Sequence, residues 1–223
     1  MNVKKTIISG VLALMMAGSV RASLYIETFT VNGGTIPDGN PIPTRFSGSV
    51  SDAPAGGAIT GVTVGLNVTG GYNGDLYAYL ASPNGTVVVL LNQPGVVNPN
   101  TDFGFSDPGF NVTLSDGSYQ NINNYGNSSY TVNGSGQVTG TYNAVGTLSN
   151  FNGGVADGTW NLYFADLASG SPTSTLNSWS LDITAVPEPV NVALAVFLAL
   201  AGAVMLAREA MRRFLKNRNS TRQ

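Results

Sequence analysis

Between residues 24 and 184 apolar side chains alternate with polar ones, and clusters of Gly, Asn, Ser and Pro repeatedly interrupt the alternation. A spacing of two turns one face of an extended strand toward a core and the other toward water, whereas a helix requires about 3.6. The clearest case is Leu76-Tyr77-Ala78-Tyr79-Leu80-Ala81, then Ser82-Pro83-Asn84-Gly85, then Thr86-Val87-Val88-Val89-Leu90-Leu91. Pro at the second and Gly at the fourth turn position suit a type I turn, which predicts a hairpin. Further strands are expected at 24–31, 59–68, 110–114, 138–142, 158–167 and 176–184, with loops at 32–44, 92–109 and 115–136. No stretch of this body reads as a helix. Short strands at such spacing predict an all-β sandwich or barrel.

The chemistry open to this fold is narrow. The 223 residues include no Cys and no His. That excludes a Ser-His-Asp triad, a thiolate nucleophile, the usual zinc sites and any disulfide. Only 10% of the residues are charged, and their distribution is uneven. Residues 23–186 hold ten carboxylates (Glu27, Asp38, Asp52, Asp75, Asp102, Asp107, Asp116, Asp157, Asp166 and Asp182) and one base, Arg45. A body of charge −9 repels phosphate backbones, so nucleic acid is excluded as a partner. The ends are basic, with Lys4, Lys5 and Arg21 at one and six Lys or Arg after residue 207 at the other.

Alternation also marks the core. Trp160, Leu162 and Phe164 share one strand face, as do Trp179, Leu181 and Ile183, so both tryptophans read as core rather than as ligand platforms. Tyr77 and Tyr79 share a face too. A sugar-stacking strip with Tyr72 is one reading, and a half-exposed sheet surface is the plainer one. Paired glycosidase carboxylates are not discernible, and no cofactor is required.

Both termini read as targeting segments. Lys4-Lys5, an apolar run over 7–20 and Val20-Arg21-Ala22 make a signal peptide over 1–22, cut between Ala22 and Ser23 by signal peptidase. The run 190–207 is apolar except for Asn191 and close to the length of a hydrocarbon core, which predicts a transmembrane helix with the basic tail 208–223 in the cytoplasm. Val186-Pro187-Glu188-Pro189 precedes it as a stiff spacer.

Two family resemblances rest on these residues. Val186-Pro187-Glu188-Pro189, the apolar span and the Arg-rich end together resemble the PEP-CTERM sorting signal of Gram-negative bacteria. That resemblance implies an exosortase as partner, a transient inner-membrane anchor, and delivery to the outer envelope or extracellular matrix. Within residues 23–185, Gly74-Asp75-Leu76, Leu80, Ser82-Pro83 and Gly85-Thr86 resemble the hairpin of the proprotein convertase P domain. Gly158-Thr159-Trp160-Asn161-Leu162, Asp166 and Ser174-Thr175-Leu176-Asn177-Ser178-Trp179-Ser180-Leu181 resemble that family's closing motif, and 110–116 its middle acidic segment. This resemblance implies a jelly-roll-type β-sandwich that accompanies subtilisin-like serine proteases. It also makes Asp75 and Asp166, which sit in its matched motifs, candidates for a Ca²⁺ site, with Asp102, Asp107 and Asp116 of the 98–116 loop as further donors. The plainer reading is that these residues cap turns through their own backbone. Two functions are expected from this resemblance. One is a non-catalytic exported module that binds exopolysaccharide or a surface protein. The other is an accessory P domain serving a separate subtilisin-like protease.

Overall fold

The computed structural model describes residues 25–51, 53, 57–98, 103–170, 172–186 and 189–220. The expected signal peptide and its Ala22–Ser23 cleavage point lie outside the described residues, as do Pro187, Glu188, Asp52 and Asp102.

Residues 24–186 form one compact unit of two sheets. The strands are β1 (Tyr25–Ile36), β2 (Asn40–Val50), β3 (Ala58–Thr69), β4 (Leu76–Ala81), β5 (Val87–Asn92), β6 (Gly109–Ser115), β7 (Thr131–Val132), β8 (Val138–Tyr142), β9 (Gly158–Asp166) and β10 (Ser174–Val186). Six pair in the order β1-β10-β3-β6-β8-β7 and four in the order β2-β9-β4-β5. All pairings are antiparallel except β6 with β8. The expected strands all form, and the Ser82–Gly85 turn closes the β4–β5 hairpin through Gly85 N–H to Ser82 O at 3.0 Å. Gly85 takes φ +86°, a conformation a side chain would resist. Three short 3-10 turns, at Asn73–Asp75, Ile122–Asn127 and Leu148–Phe151, are the only helical segments among the described residues of this unit.

β2 is not expected from the sequence: its first half falls in the Gly/Asn/Pro-rich loop expected at 32–44, where Pro41 and Pro43 each lack an N–H for a ladder, and 45–50 belong to no expected element. β2 is an edge strand, where a proline can face outward without breaking a pair. β7 is missed too, because its two residues are too few to alternate. At the opposite edge of the four-stranded sheet, the 144–146 segment lies along β5. Val145 and Gly146 donate to Leu90 O at 3.1 Å and to Val89 O at 2.8 Å, so the open side of β5 is covered.

The two sheets share one apolar core. Val64, Leu66, Leu114, Leu181 and Ile183 of one sheet pack in it with Leu76, Leu80, Leu90, Leu162 and Phe164 of the other. Trp160 and Trp179, one from each sheet, are both buried, as expected. Trp160 meets Phe151 edge-on at 5.1 Å and donates its Nε1–H to Ala156 O at 2.9 Å, so its polar atom is satisfied inside the core.

The second unit contains α1 (Pro189–Ser220), which starts on proline at its first turn, where the missing N–H costs nothing. No helix among the described residues is long and apolar enough to cross a membrane. The transmembrane helix expected at 190–207 is therefore not shown. The helix runs on through Arg208, Glu209, Arg212 and Arg213 rather than ending with the apolar run, and the side chains at 190–192 and 195 lie outside the described set. Glu209 and Arg213 face each other at 4.0 Å, an exposed pair of small energetic weight.

Emptying either tryptophan site removes one of the largest fully buried side chains from a core with no cross-link to compensate. Trp160→Ala and Trp179→Ala are each expected to destabilise the sandwich by about 3–5 kcal/mol in urea unfolding followed by circular dichroism. Parental unfolding curves for either variant would remove that tryptophan from the core.

Candidate functional site

The acidic residues singled out in the sequence divide into backbone anchors and one buried cluster. Asp116 accepts from Leu148 N–H at 2.9 Å and Ser149 N–H at 2.7 Å, Asp157 from Ala53 N–H at 2.9 Å, and Asp38 from Gly170 N–H at 3.0 Å. Each of these carboxylates holds backbone amides of a segment distant in sequence, rather than capping a turn through its own backbone. Asp107 takes another role. Its carboxylate accepts the Tyr125 hydroxyl at 2.7 Å and the Tyr130 hydroxyl at 3.2 Å. Asn73 Nδ2 donates to the same Tyr125 oxygen at 3.1 Å and to Gly109 O at 3.1 Å. Burial pushes the Tyr125 phenol far above its ordinary range, so Tyr125 stays neutral and acts as a strut.

Asp75 and Asp166 are brought together. Asp75 closes the 3-10 turn that leads into β4, and Asp166 ends β9. Asp166 pairs in register with Leu76 on one side and with Asn40, the first residue of β2, on the other. The carbonyl of Asp75 accepts from Leu167 N–H at 2.8 Å, which ties the two strand ends together. Both side chains are buried, Asp166 completely. Its Oδ1 accepts one long bond, 3.3 Å from Ala168 N–H, while Oδ2 is buried without a partner. Burial, with Asp75 and Asp38 adding negative charge nearby and only backbone N–H groups opposing, pushes the Asp166 carboxyl up to about 6.

A hard cation would want six or more oxygens at this place. Among the described residues no three of His, Cys, Asp or Glu gather closely enough to hold a metal ion. Of the other expected donors, Asp107 is committed to two tyrosines and Asp116 to the 148–149 turn, while Asp102 lies outside the described residues. Asp75 and Asp166 thus come together without a third carboxylate close enough to join them among the described residues, and burial holds the Asp166 proton more tightly than water would.

On the outer face of the four-stranded sheet the structure supports the plainer reading of Tyr77 and Tyr79 as half-buried surface, and adds a residue that the sequence reading passed over. Tyr163 of β9 stacks on Tyr79 at 4.6 Å with 11° between the rings, and Tyr77 lies 6.0 Å from Tyr79 at 56°. Tyr163 alternates with Leu162 and Phe164, a signal that was present in the sequence. Tyr72 stands apart, in the loop before the 3-10 turn. Desolvation and the neighbouring Tyr163 and Tyr77 raise the Tyr79 phenol.

The raised Asp166 carboxyl makes stability depend on pH. A carboxyl held more tightly protonated in the fold than in the unfolded chain stabilises fully below the unfolded value of 3.8, and that stabilisation is lost as pH climbs through about 6. Asp166→Asn keeps the shape and removes the titration. It is expected to raise Tm by about 3 °C or more at pH 7.5 and by much less at pH 4. A variant less stable than the parent at pH 7.5, or a gap independent of pH, would show that the fold does not raise the Asp166 carboxyl.

The comparisons bear on part of this unit. The family model described as Proprotein convertase P-domain matches residues 59–121, a stretch running from β3 through β6 that holds Asp75 but neither Asp166 nor the expected closing motif at 158–181. No curated protein matches significantly. Among solved structures, the serine protease of Aeromonas sobria matches at 17% identity, both in complex with the chaperone ORF2 (TM-score 0.45, 80% of this chain) and by itself (TM-score 0.43, 79% of this chain). The chain spans 30% of the length of each of those chains. Residues 59–121 of this two-sheet unit are thus similar to a proprotein convertase P domain.

Proposed function

We propose that the chain is a non-catalytic P-domain-like module that acts by binding, and that its partner is a separate subtilisin-like serine protease. The match of the P-domain model to residues 59–121 carries this reading. The composition supports it, because a chain without His or Cys has no imidazole base and no thiolate to offer a substrate. The buried position of Asp75 and Asp166 supports it as well, since neither carboxylate reaches bulk water. In this role the sandwich supplies surface and the protease supplies chemistry.

A second reading concerns delivery and rests on the C-terminal sequence. Val186-Pro187-Glu188-Pro189, the apolar run 190–207 and the arginines beyond favour an exported protein, processed by signal peptidase at Ala22–Ser23 and then handled by an exosortase at the Pro-Glu-Pro motif. On that reading the module ends in the envelope or extracellular matrix, and its ligand is a matrix polymer or a surface protein.

Two measurements separate these proposals. The full chain carrying an affinity tag, recovered from envelope extracts of its host, is expected to bring down a serine hydrolase that reacts with a fluorophosphonate probe. The purified chain alone is expected to cleave no peptide or glycoside. Recovery without any labelled hydrolase would remove the protease as partner. For the sorting signal, replacing Pro187, Glu188 and Pro189 by alanine is expected to leave full-length protein in the inner membrane. Unchanged size and delivery in an exosortase-bearing host would reduce the segment to a spacer.

A further inference from the structure

We propose that the free edge of β1 is a docking site for an extended, lysine- or arginine-bearing segment of a partner protein, which joins the six-stranded sheet as a further strand. The site stands apart from both readings of function.

The sheet edges are not alike. A bare edge is a row of unpaired N–H and C=O groups, and folded proteins blunt such rows with prolines, short strands or covering loops. Three edges here are blunted in those ways: β5 is covered by 144–146, β2 carries Pro41 and Pro43, and β7 is only Thr131–Val132. β1 differs. It spans 12 residues with no proline and no lysine, which gives an edge about 40 Å long. Its register with β10 runs from Tyr25↔Ala185 to Ile36↔Ser174 without a shift, so no bulge turns the edge aside. Among the described residues β1 pairs with β10 alone, and no loop backbone bonds to its outer side. Val31, opposite the buried Trp179, packs against the core yet is only half-buried, and an added strand would finish covering it.

Charge selects the partner. β1 and β10 hold Glu27 and Asp182 and no base. Asp182 is exposed, accepts the Thr63 hydroxyl at 3.3 Å, and pairs with Thr28, one strand in from the edge. A residue added opposite Thr28 would stand two strand spacings from Asp182, about 10 Å, which a lysine or arginine side chain lying along the sheet can bridge. Around this edge the body carries a charge of −9. Its field draws in a cationic segment and opposes an acidic one, a second copy included. Main-chain bonds along the edge would supply affinity for any extended chain, and the charge would choose among chains.

Hydrogen exchange of the full chain in mild detergent tests the assignment, with synthetic strand peptides as probes. One alternates Val with Lys, a second has Glu for every Lys, and a third keeps Lys but is methylated at every backbone nitrogen. The lysine peptide is expected to slow exchange at the outward amides of β1 at least about tenfold, the worth of one hydrogen bond, and to leave β5 unchanged. Asp182→Asn, an exposed change that can still accept the Thr63 hydroxyl, should weaken binding of that peptide about two- to fivefold, the range of an exposed charge pair. No slowing at β1 would overturn the proposal. Equal binding of the glutamate peptide, or undiminished binding by Asp182→Asn, would overturn the choice of a cationic partner. Equal binding of the methylated peptide would mean attraction without an added strand, and would overturn the edge as the site. Slowing at β1 in the chain alone as its concentration rises would give the edge to a second copy instead.

Discussion

Apolar contact between two sheets is the constraint on which everything else in this molecule rests. No thiol is available to staple the chain, and the described residues of the sandwich contain no ion pair that could substitute. Hydrogen bonds in the ladders fix geometry, yet each exchanges for one with water and returns little net free energy. What remains is burial. One continuous cluster draws on the inward positions of nearly every long strand, and a large aromatic from each sheet fills its volume. A body this size buries enough surface for such a core to suffice. The glycine-rich, charge-poor composition is compatible with it because the outward positions ask little of side chains beyond solubility.

How much of this could be read from the sequence follows from the same physics. The strands around Trp160 and Trp179 were plain because their inward residues are large and their outward ones polar, which makes the period of two unmistakable. β2 was illegible because its prolines look like breakers, and their tolerance depends on the strand lying at an edge, a fact of topology. The pairing of β6 with β8 in parallel was equally out of reach, since the intervening 22 residues from 116 to 137 carry turn residues and no periodicity.

The acid residues teach a related lesson. Sequence picked Asp75 and Asp166 from a resemblance, and the fold brings them together, so the positions were legible. Their chemistry was not. How tightly a carboxyl keeps its proton depends on what surrounds it, and around Asp166 the surroundings are a buried strand end with Asp75 and Asp38 nearby. Asp107 and Asp116, by contrast, are spent on tyrosine hydroxyls and turn amides. Composition counts carboxylates; only a fold tells which ones are occupied.

The covering of β5 by the 144–146 segment has an effect beyond this single chain. An uncovered strand margin is a template on which another copy can zip its own backbone, and stacking of that kind runs on without end. The two amides of Val145 and Gly146 occupy that template, while the prolines of β2 interrupt the equivalent one across the sheet. For a body whose copies already repel one another through a net charge of −9, such steric gatekeeping at both rims of one sheet adds a local barrier where that repulsion is overcome. Crowded copies can then lie side by side without fusing into fibrils along this sheet.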